Sequence, residues 1–185
     1  MTRRARLPRR QSSGWLVILV LLLVVTAVAG VPYFVAGEDA RRPESQPFLV
    51  RLELPAGTSL GSLQEARVLE VIDGDTIDAM VDGRRVRIRY FGVDTPERGN
   101  RCYREALDRN QTLIGRQVLL LTDARQEDRF GRSLHYIFLP DGVSVDATLV
   151  AEGFGLAWRE DGRYRDEIVS LEEQAKSEDR GCLWK

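Results

Sequence analysis

Hydrophobic and polar residues fall into three regimes along the chain. From Trp15 to Gly37 there is no charge, and the stretch WLVILVLLLVVTAVAGVPYFVAG is apolar almost throughout. That length matches the roughly 20 residues a membrane-spanning helix needs. Residues 38–47 (EDARRPESQP) are polar and proline-containing, the composition of a linker. From Arg67 onward the polarity alternates as expected for half-buried strands. RVLEVI, IDAMV and RRVRIRYFGV read as three strands. Asp82-Gly83 between the second and third suits a type I′ hairpin turn, whose two central positions need positive φ. In the third strand Val86, Ile88 and Tyr90 share one face, and Arg85, Arg87 and Arg89 the other.

Beyond this meander the spacing predicts a helix over Tyr103–Ile114, closed by Gly115. QVLLLT and LHYIFL read as two more strands. Helices are predicted over Val145–Glu152 and Tyr164–Glu178. Five strands with a helix after the third, and helices at the end, predict an α+β domain built on a small closed barrel. FLVRLEL, at 48–54, alternates weakly and predicts a further short strand. The layout is then a basic tail over 1–14, an apolar anchor over 15–36, a linker over 37–64 and one folded domain over 65–185.

Charge sharpens this layout. The chain has 185 residues, 43% apolar and 30% charged, with a net charge of −1. Residues 1–42 hold seven arginines and two acids, which leaves 20 basic and 26 acidic residues, a net −6, over residues 43–185. An acidic domain does not coat nucleic acid by bulk charge, so any phosphate chemistry must be local or assisted by a metal. Five arginines before Trp15 place the N-terminus in the cytoplasm and the domain outside the membrane. The same segment also reads as a signal peptide with its core at Trp15–Val25, cut at Ala27-Val28-Ala29 near Ala29, which would release a secreted protein. The apolar run continues to Ala36 and favours the single-pass anchor in the cell membrane. Both readings export the domain. Cys102 and Cys182 are the only cysteines; outside the cytoplasm they read as a disulfide, or as two unrelated buried thiols.

Two acidic motifs carry the candidate chemistry. Asp73-Gly74-Asp75-Thr76 joins two strands at a barrel rim, and alone it is an ordinary turn. Asp94-Thr95-Pro96-Glu97 adds two carboxylates, with Pro96 restricting its own φ and biasing Thr95 toward extended backbone. Carboxylates and a backbone carbonyl are the hard oxygen donors that Ca²⁺ takes; a plain Arg89–Asp94 ion pair is the alternative. Asp128-Arg129-Phe130-Gly131-Arg132 brings a further guanidinium to a strand entry, and Arg89 with Arg132 suits bidentate grip on a phosphate. His135, the one histidine, lies inside LHYIFL and reads as a barrel residue.

The ordered motifs VIDGDTI, RYFGVDTPE and DRFGRSLHYIF, followed by GLAW and EEQAKSEDRGCLW, resemble the staphylococcal nuclease (thermonuclease) family. The likeness runs from Arg67 to Trp184. It implies an OB-type five-stranded barrel with three helices, hydrolysing DNA and RNA in a Ca²⁺-dependent reaction that leaves 3′-phosphorylated products. By the same resemblance Asp75 and Asp94 would be the Ca²⁺ carboxylates, with Thr95 offering its carbonyl. Glu97 would act as general base, Arg89 and Arg132 would grip the scissile phosphate, and Asp73 would shape the site. Single-stranded substrate and a monomer are expected. The sequence departs from the family's archetype in the short stretch RGNRC, where the archetype has a long lysine-rich loop. Its stacking tyrosines are only partly matched: Phe130 stands in one place, and Tyr164 or Trp158 reads equally as a base stacker or as core. The alternative to an enzyme is a non-catalytic OB-type binding module at the cell surface. Retention of Asp75, Arg89, Asp94, Glu97 and Arg132 favours the enzyme.

Overall fold

The computed structural model describes residues 48–185. The segment read as anchor or signal peptide lies outside the described residues, among which no helix is long and apolar enough to cross a membrane. Strands β1 (Gln64–Val71), β2 (Thr76–Val81) and β3 (Arg84–Tyr90) form an antiparallel meander. Asp82 and Gly83 turn β2 into β3 with φ of 48° and 77°, the positive values their sequence predicts. A two-residue strand β4 (Val93–Asp94) follows, then helix α1 (Tyr103–Leu113), β5 (Gln117–Leu121) and β6 (Ser133–Phe138). β5 pairs with both β1 and β6, and β6 runs parallel to β3, so the order β1-β2-β3-β6-β5 closes into a barrel. Helix α2 (Val145–Ala151), strand β7 (Leu156–Ala157), helix α3 (Arg165–Ser177) and a last turn α4 (Gly181–Trp184) complete the chain. β7 pairs with β4 alone.

The alternating apolar residues do as their period dictates. Ile77, Ala79, Ile88, Tyr90, Val118 and Tyr136 are all buried in one core. Helices α2 and α3 carry Val145, Leu149 and Ile168 into that core. Ser144 caps α2 by accepting from the Ala147 amide. Asp166 and Glu167 in the first turn of α3, and Lys176 in its last, match the helix dipole.

Two expectations change. FLVRLEL forms no strand: Val50 donates its amide to Thr148 Oγ1, and its carbonyl accepts from the Ser144 amide. The segment therefore lies along α2, with Val50, Leu52 and Leu54 packed on the core, and finds no free strand edge because the barrel is closed. Tyr164 is core, at 6% exposure. Its ring meets Tyr136 edge-on at 4.9 Å, and its hydroxyl donates to the Glu53 carbonyl at 2.7 Å, so it has no free face on which a base could stack. Cys102, just before α1, and Cys182, in α4, are joined as a disulfide with Cα atoms 5.5 Å apart.

Candidate active site

The strand register brings the motifs together. β2 and β3 pair Thr76 with Arg89, so the Asp73–Thr76 turn ends beside that arginine. The parallel β3–β6 pairing sets Ser133 opposite Ile88, which carries Arg132 to the same edge. The β4–β7 pairing fixes Asp94 opposite Leu156.

Within the turn, Asp75 donates its amide to Asp73 Oδ1, and the Asp75 carbonyl accepts from the Tyr90 amide at 2.8 Å. The Asp75 carboxylate is buried. Oδ2 accepts from the Thr95 amide and hydroxyl at 2.6 and 2.7 Å, and Oδ1 accepts from the Thr76 hydroxyl at 3.1 Å and forms an ion pair with Arg89 Nε at 3.0 Å. A side chain at Gly74 would meet Thr95 at 2.6 Å, so glycine permits this close seating of one motif on the other. Burial, and then the charge of Asp75, push the Asp73 carboxyl above its ordinary range.

Arg89 departs from the alternation read in the sequence. It shares a strand face with Arg85 and Arg87, yet it is only 8% exposed. Nη1 donates to the Tyr90 and Val93 carbonyls, Nη2 donates to Asp94 Oδ1 at 2.7 Å, and Nε pairs with Asp75. The second N–H of Nη2 has no partner among the described residues and is left for a ligand. Arg132 is different. Its Nε donates to Asp128 Oδ2 at 2.6 Å, and neither Nη atom bonds another described residue. The two guanidiniums are unequal: Arg89 ties the acids together, while Arg132 is fixed at one edge and free at the other. Arg85 and Arg87 instead cover Asp78, with Arg87 Nε at 2.8 Å from its carboxylate.

Arg89, Asp94, Glu97, Phe130 and Arg132 line one cleft of about 580 Å³. Glu97 is exposed there and forms no ion pair with another described residue. Phe130 is 69% exposed, with the Arg129 and Arg132 guanidiniums 4.7 and 5.6 Å from its ring centre. Five carboxylates and four guanidiniums line the cleft. Asp75, Thr95 and Asp73 do not line it. Among the described residues no three acidic, histidine or cysteine side chains gather closely enough to hold a metal by themselves.

Several supporting residues escape sequence reasoning, because their work is done by long-range contact. Asn110, fully buried on α1, donates to the Asp73 carbonyl at 3.0 Å and accepts from the Tyr90 hydroxyl at 3.0 Å. Asp146, fully buried on α2, accepts from the Gly92 and Ile137 amides, both at 2.8 Å, and so fixes the loop that leads to Asp94. Glu172 on α3 holds the Ala157 amide at 2.8 Å and steadies β7. Asp128 organises its own loop, accepting from the Phe130 and Arg132 amides. Burial raises its carboxyl, but the Arg132 amide and guanidinium and the Phe130 amide outweigh that and leave it below the ordinary range. Only Asp128 had a local signal, since Asp-x-x-Gly is turn chemistry.

Residues 87–185 match the family described as staphylococcal nuclease homologue. The thermonuclease of Staphylococcus hyicus is 34% identical over 142 residues, spanning 72% of this chain and 80% of that protein. An uncharacterized endonuclease of Escherichia coli O157:H7 is 34% identical over 119 residues, 64% of this chain and 75% of its own length. Endonuclease YncB of Bacillus subtilis is 35% identical over 124 residues, 61% of this chain and 58% of that protein. The chain belongs to the staphylococcal nuclease family and is an enzyme of that hydrolytic nuclease class.

Proposed function

We propose that the chain is an exported, Ca²⁺-dependent nuclease, held by its N-terminal apolar segment, that hydrolyses single-stranded DNA and RNA and leaves 3′-phosphorylated ends. One observation carries this reading. An exposed carboxylate (Glu97), a half-free guanidinium (Arg132) and Arg89 with its partner Asp94 line a single cleft, and the same Arg89 pairs with Asp75. A phosphodiester entering this acid-rich cleft needs its charge offset locally, which the arginines alone supply only in part. Asp94, exposed at the cleft, would hold the ion with the Thr95 carbonyl, and Asp75 would join them by exchanging one of the Thr95, Thr76 or Arg89 partners that occupy its oxygens; hard oxygens with water to complete the shell suit Ca²⁺. When bound, the ion supplies charge neutralisation at the phosphate oxygens and at the attacking water.

The protein groups account for the rest. Glu97 takes a proton from water as the water oxygen bonds to phosphorus, and the bond from phosphorus to the 5′-oxygen breaks in line with it, the departing 5′-oxygen taking a proton from solvent water. Arg132, steadied by Asp128, presents its free N–H groups to the charge that develops on the non-bridging oxygens. Arg89 orients both acids and offers one N–H of its own. Phe130 gives an exposed ring on which an unpaired base stacks.

The test uses the full-length chain in mild detergent with labelled single-stranded DNA and RNA, in Ca²⁺ and then in chelator. Wild type should cut both substrates, and Glu97→Gln should cut about 10²- to 10⁴-fold more slowly. The products should resist 3′ extension until treated with a phosphatase. No cleavage in Ca²⁺, or cleavage at the wild-type rate by Glu97→Gln and Arg132→Ala, refutes the hydrolytic assignment; binding without cleavage would leave a binding module. The mass of the mature protein separates an anchored chain from one cut near Ala29.

A further inference from the structure

A fourth guanidinium lines the cleft in a position the motifs do not reach. Arg125 lies in the loop between β5 and β6. Its Cζ is 4.8 Å from the Phe91 ring centre and 5.3 Å from that of Trp158. Its Nε and Nη2 donate to the two carboxylate oxygens of Asp161, both at 2.8 Å. Trp158 Nε1 donates to the same carboxylate at 2.7 Å, and the Trp158 amide donates to the Gly92 carbonyl at 3.0 Å. Two rings and one carboxylate therefore fix the guanidinium in position. The hydrogen bonds to Arg125, ahead of burial, hold the Asp161 carboxyl below its ordinary range.

This arrangement leaves one edge unused. A guanidinium has two forked edges, and Asp161 takes the Nε–Nη2 edge. Nη1 makes no hydrogen bond to another described residue. Both rings and Arg125 line the same cleft as Arg89 and Arg132, so the open Nη1–Nη2 edge belongs to a site that already gathers phosphate-binding groups. A guanidinium stacked on aromatic rings keeps little rotamer freedom to lose when it binds, which suits recognition of an anion rather than a bulk attraction.

We propose that Arg125, held by Phe91, Trp158 and Asp161, is a second phosphate site, which grips the backbone phosphate of a nucleotide flanking the scissile one. The ligand is a single-stranded nucleic acid of at least two phosphates. This rests on the nuclease reading of the cleft and extends it from one phosphate to the strand. Asp161 is the positioning residue, since it acts on the substrate only through Arg125.

The test reads binding directly. A fluorescein-labelled phosphorothioate ten-nucleotide strand, which resists hydrolysis, is titrated with the full-length chain in Ca²⁺ and followed by fluorescence anisotropy over a range of salt. Arg125→Gln should weaken binding about tenfold, and its plot of log affinity against log salt should flatten by about 0.7, one single-strand phosphate contact. Asp161→Asn keeps the guanidinium charge but loosens the fork that positions it, so it should weaken binding less than Arg125→Gln does and leave the salt slope at the wild-type value. If Arg125 serves only the fold, both variants lower the melting temperature and neither moves the affinity or the slope. An unchanged affinity for Arg125→Gln or for Asp161→Asn, or no strand binding by wild type, overturns the proposal. If Arg125→Gln fails to fold, the Asp161→Asn affinity still decides. Wild type that binds the strand but never cleaves an ordinary one sinks the hydrolytic reading and leaves this one standing.

Discussion

His135 and Asp146 set up opposed pH dependences that should nearly cancel. Asp146 is fully buried, and burial raises its carboxyl from the usual 3.8 to about 6 against the two backbone amides it accepts from. His135 is buried on β6 with Nδ1 unpartnered, and burial lowers it from 6.5 to about 4. Between pH 4 and 6 the folded state holds a proton on Asp146 that the unfolded chain has released, so this group's stabilisation fades as pH rises. Over nearly the same window the unfolded chain protonates His135 and the folded state does not, so that contribution grows as pH rises. At 1.36 kcal/mol per pH unit, each amounts to about 3 kcal/mol across its window. The wild type should therefore show little slope from this pair.

Single substitutions separate the two. His135→Gln removes the rising term, and its stability should fall by about 3 kcal/mol relative to wild type on going from pH 4 to 6. Asp146→Asn removes the falling term and should gain a similar amount over the same range. It also carries a constant loss of about 1–3 kcal/mol, because its amide faces a backbone N–H that needs an acceptor. Urea unfolding followed by circular dichroism at pH 4, 5, 6 and 7 measures both profiles. Other carboxylates titrate alike in the two variants, so the divergence between the profiles is diagnostic. Profiles that run parallel to each other would refute the reasoning.

Three further outcomes follow from the geometry. Asn110→Ala removes both the bond to the Asp73 carbonyl and the acceptor of the Tyr90 hydroxyl; it should cost about 2–3 kcal/mol in urea unfolding and also slow hydrolysis, since the turn bearing Asp75 loosens. Asp78 is held down to about 2, first by the hydrogen bond from Arg87 against an opposing burial effect, then by Arg85. Asp78→Asn should lower the melting temperature at pH 7, and the loss should shrink as pH falls through about 2, where wild type loses the same pairing. Reducing the Cys102–Cys182 bridge, 80 residues apart in sequence, should lower unfolding free energy by about 4.5 kcal/mol in the chain-entropy model, read as an earlier urea midpoint.

The five barrel strands and three of the helices were legible because each rests on a local period, whereas the short β4–β7 pair and the turn α4 were not predicted. The three predicted helices end within a residue or so of those observed, and Asp82-Gly83 announced its turn by chemistry that only a few residues tolerate. The candidate site was legible as two acidic motifs and two arginines in order, but not as a geometry. Alternation placed Arg89 beside Arg85 and Arg87 as an equal. Only the fold of Phe91–Thr95 over it, closed by the β4–β7 pair, makes Arg89 a buried clamp on Asp75 and Asp94. The same limit hid Asn110, Asp146 and Glu172, whose single hydrogen-bonding side chains look like any polar residue until a distant backbone group meets them. Tyr164 stood open between stacking and core, and burial against Tyr136 decided it. FLVRLEL alternates like a strand, yet the closed barrel offers it no edge. The sequence by itself determined the elements, their order and the chemical types available, because propensity and period act between near neighbours. The tertiary structure alone decided which charges are buried, which guanidinium stays free and which side chains share a cleft, because those depend on contacts between residues far apart in the chain.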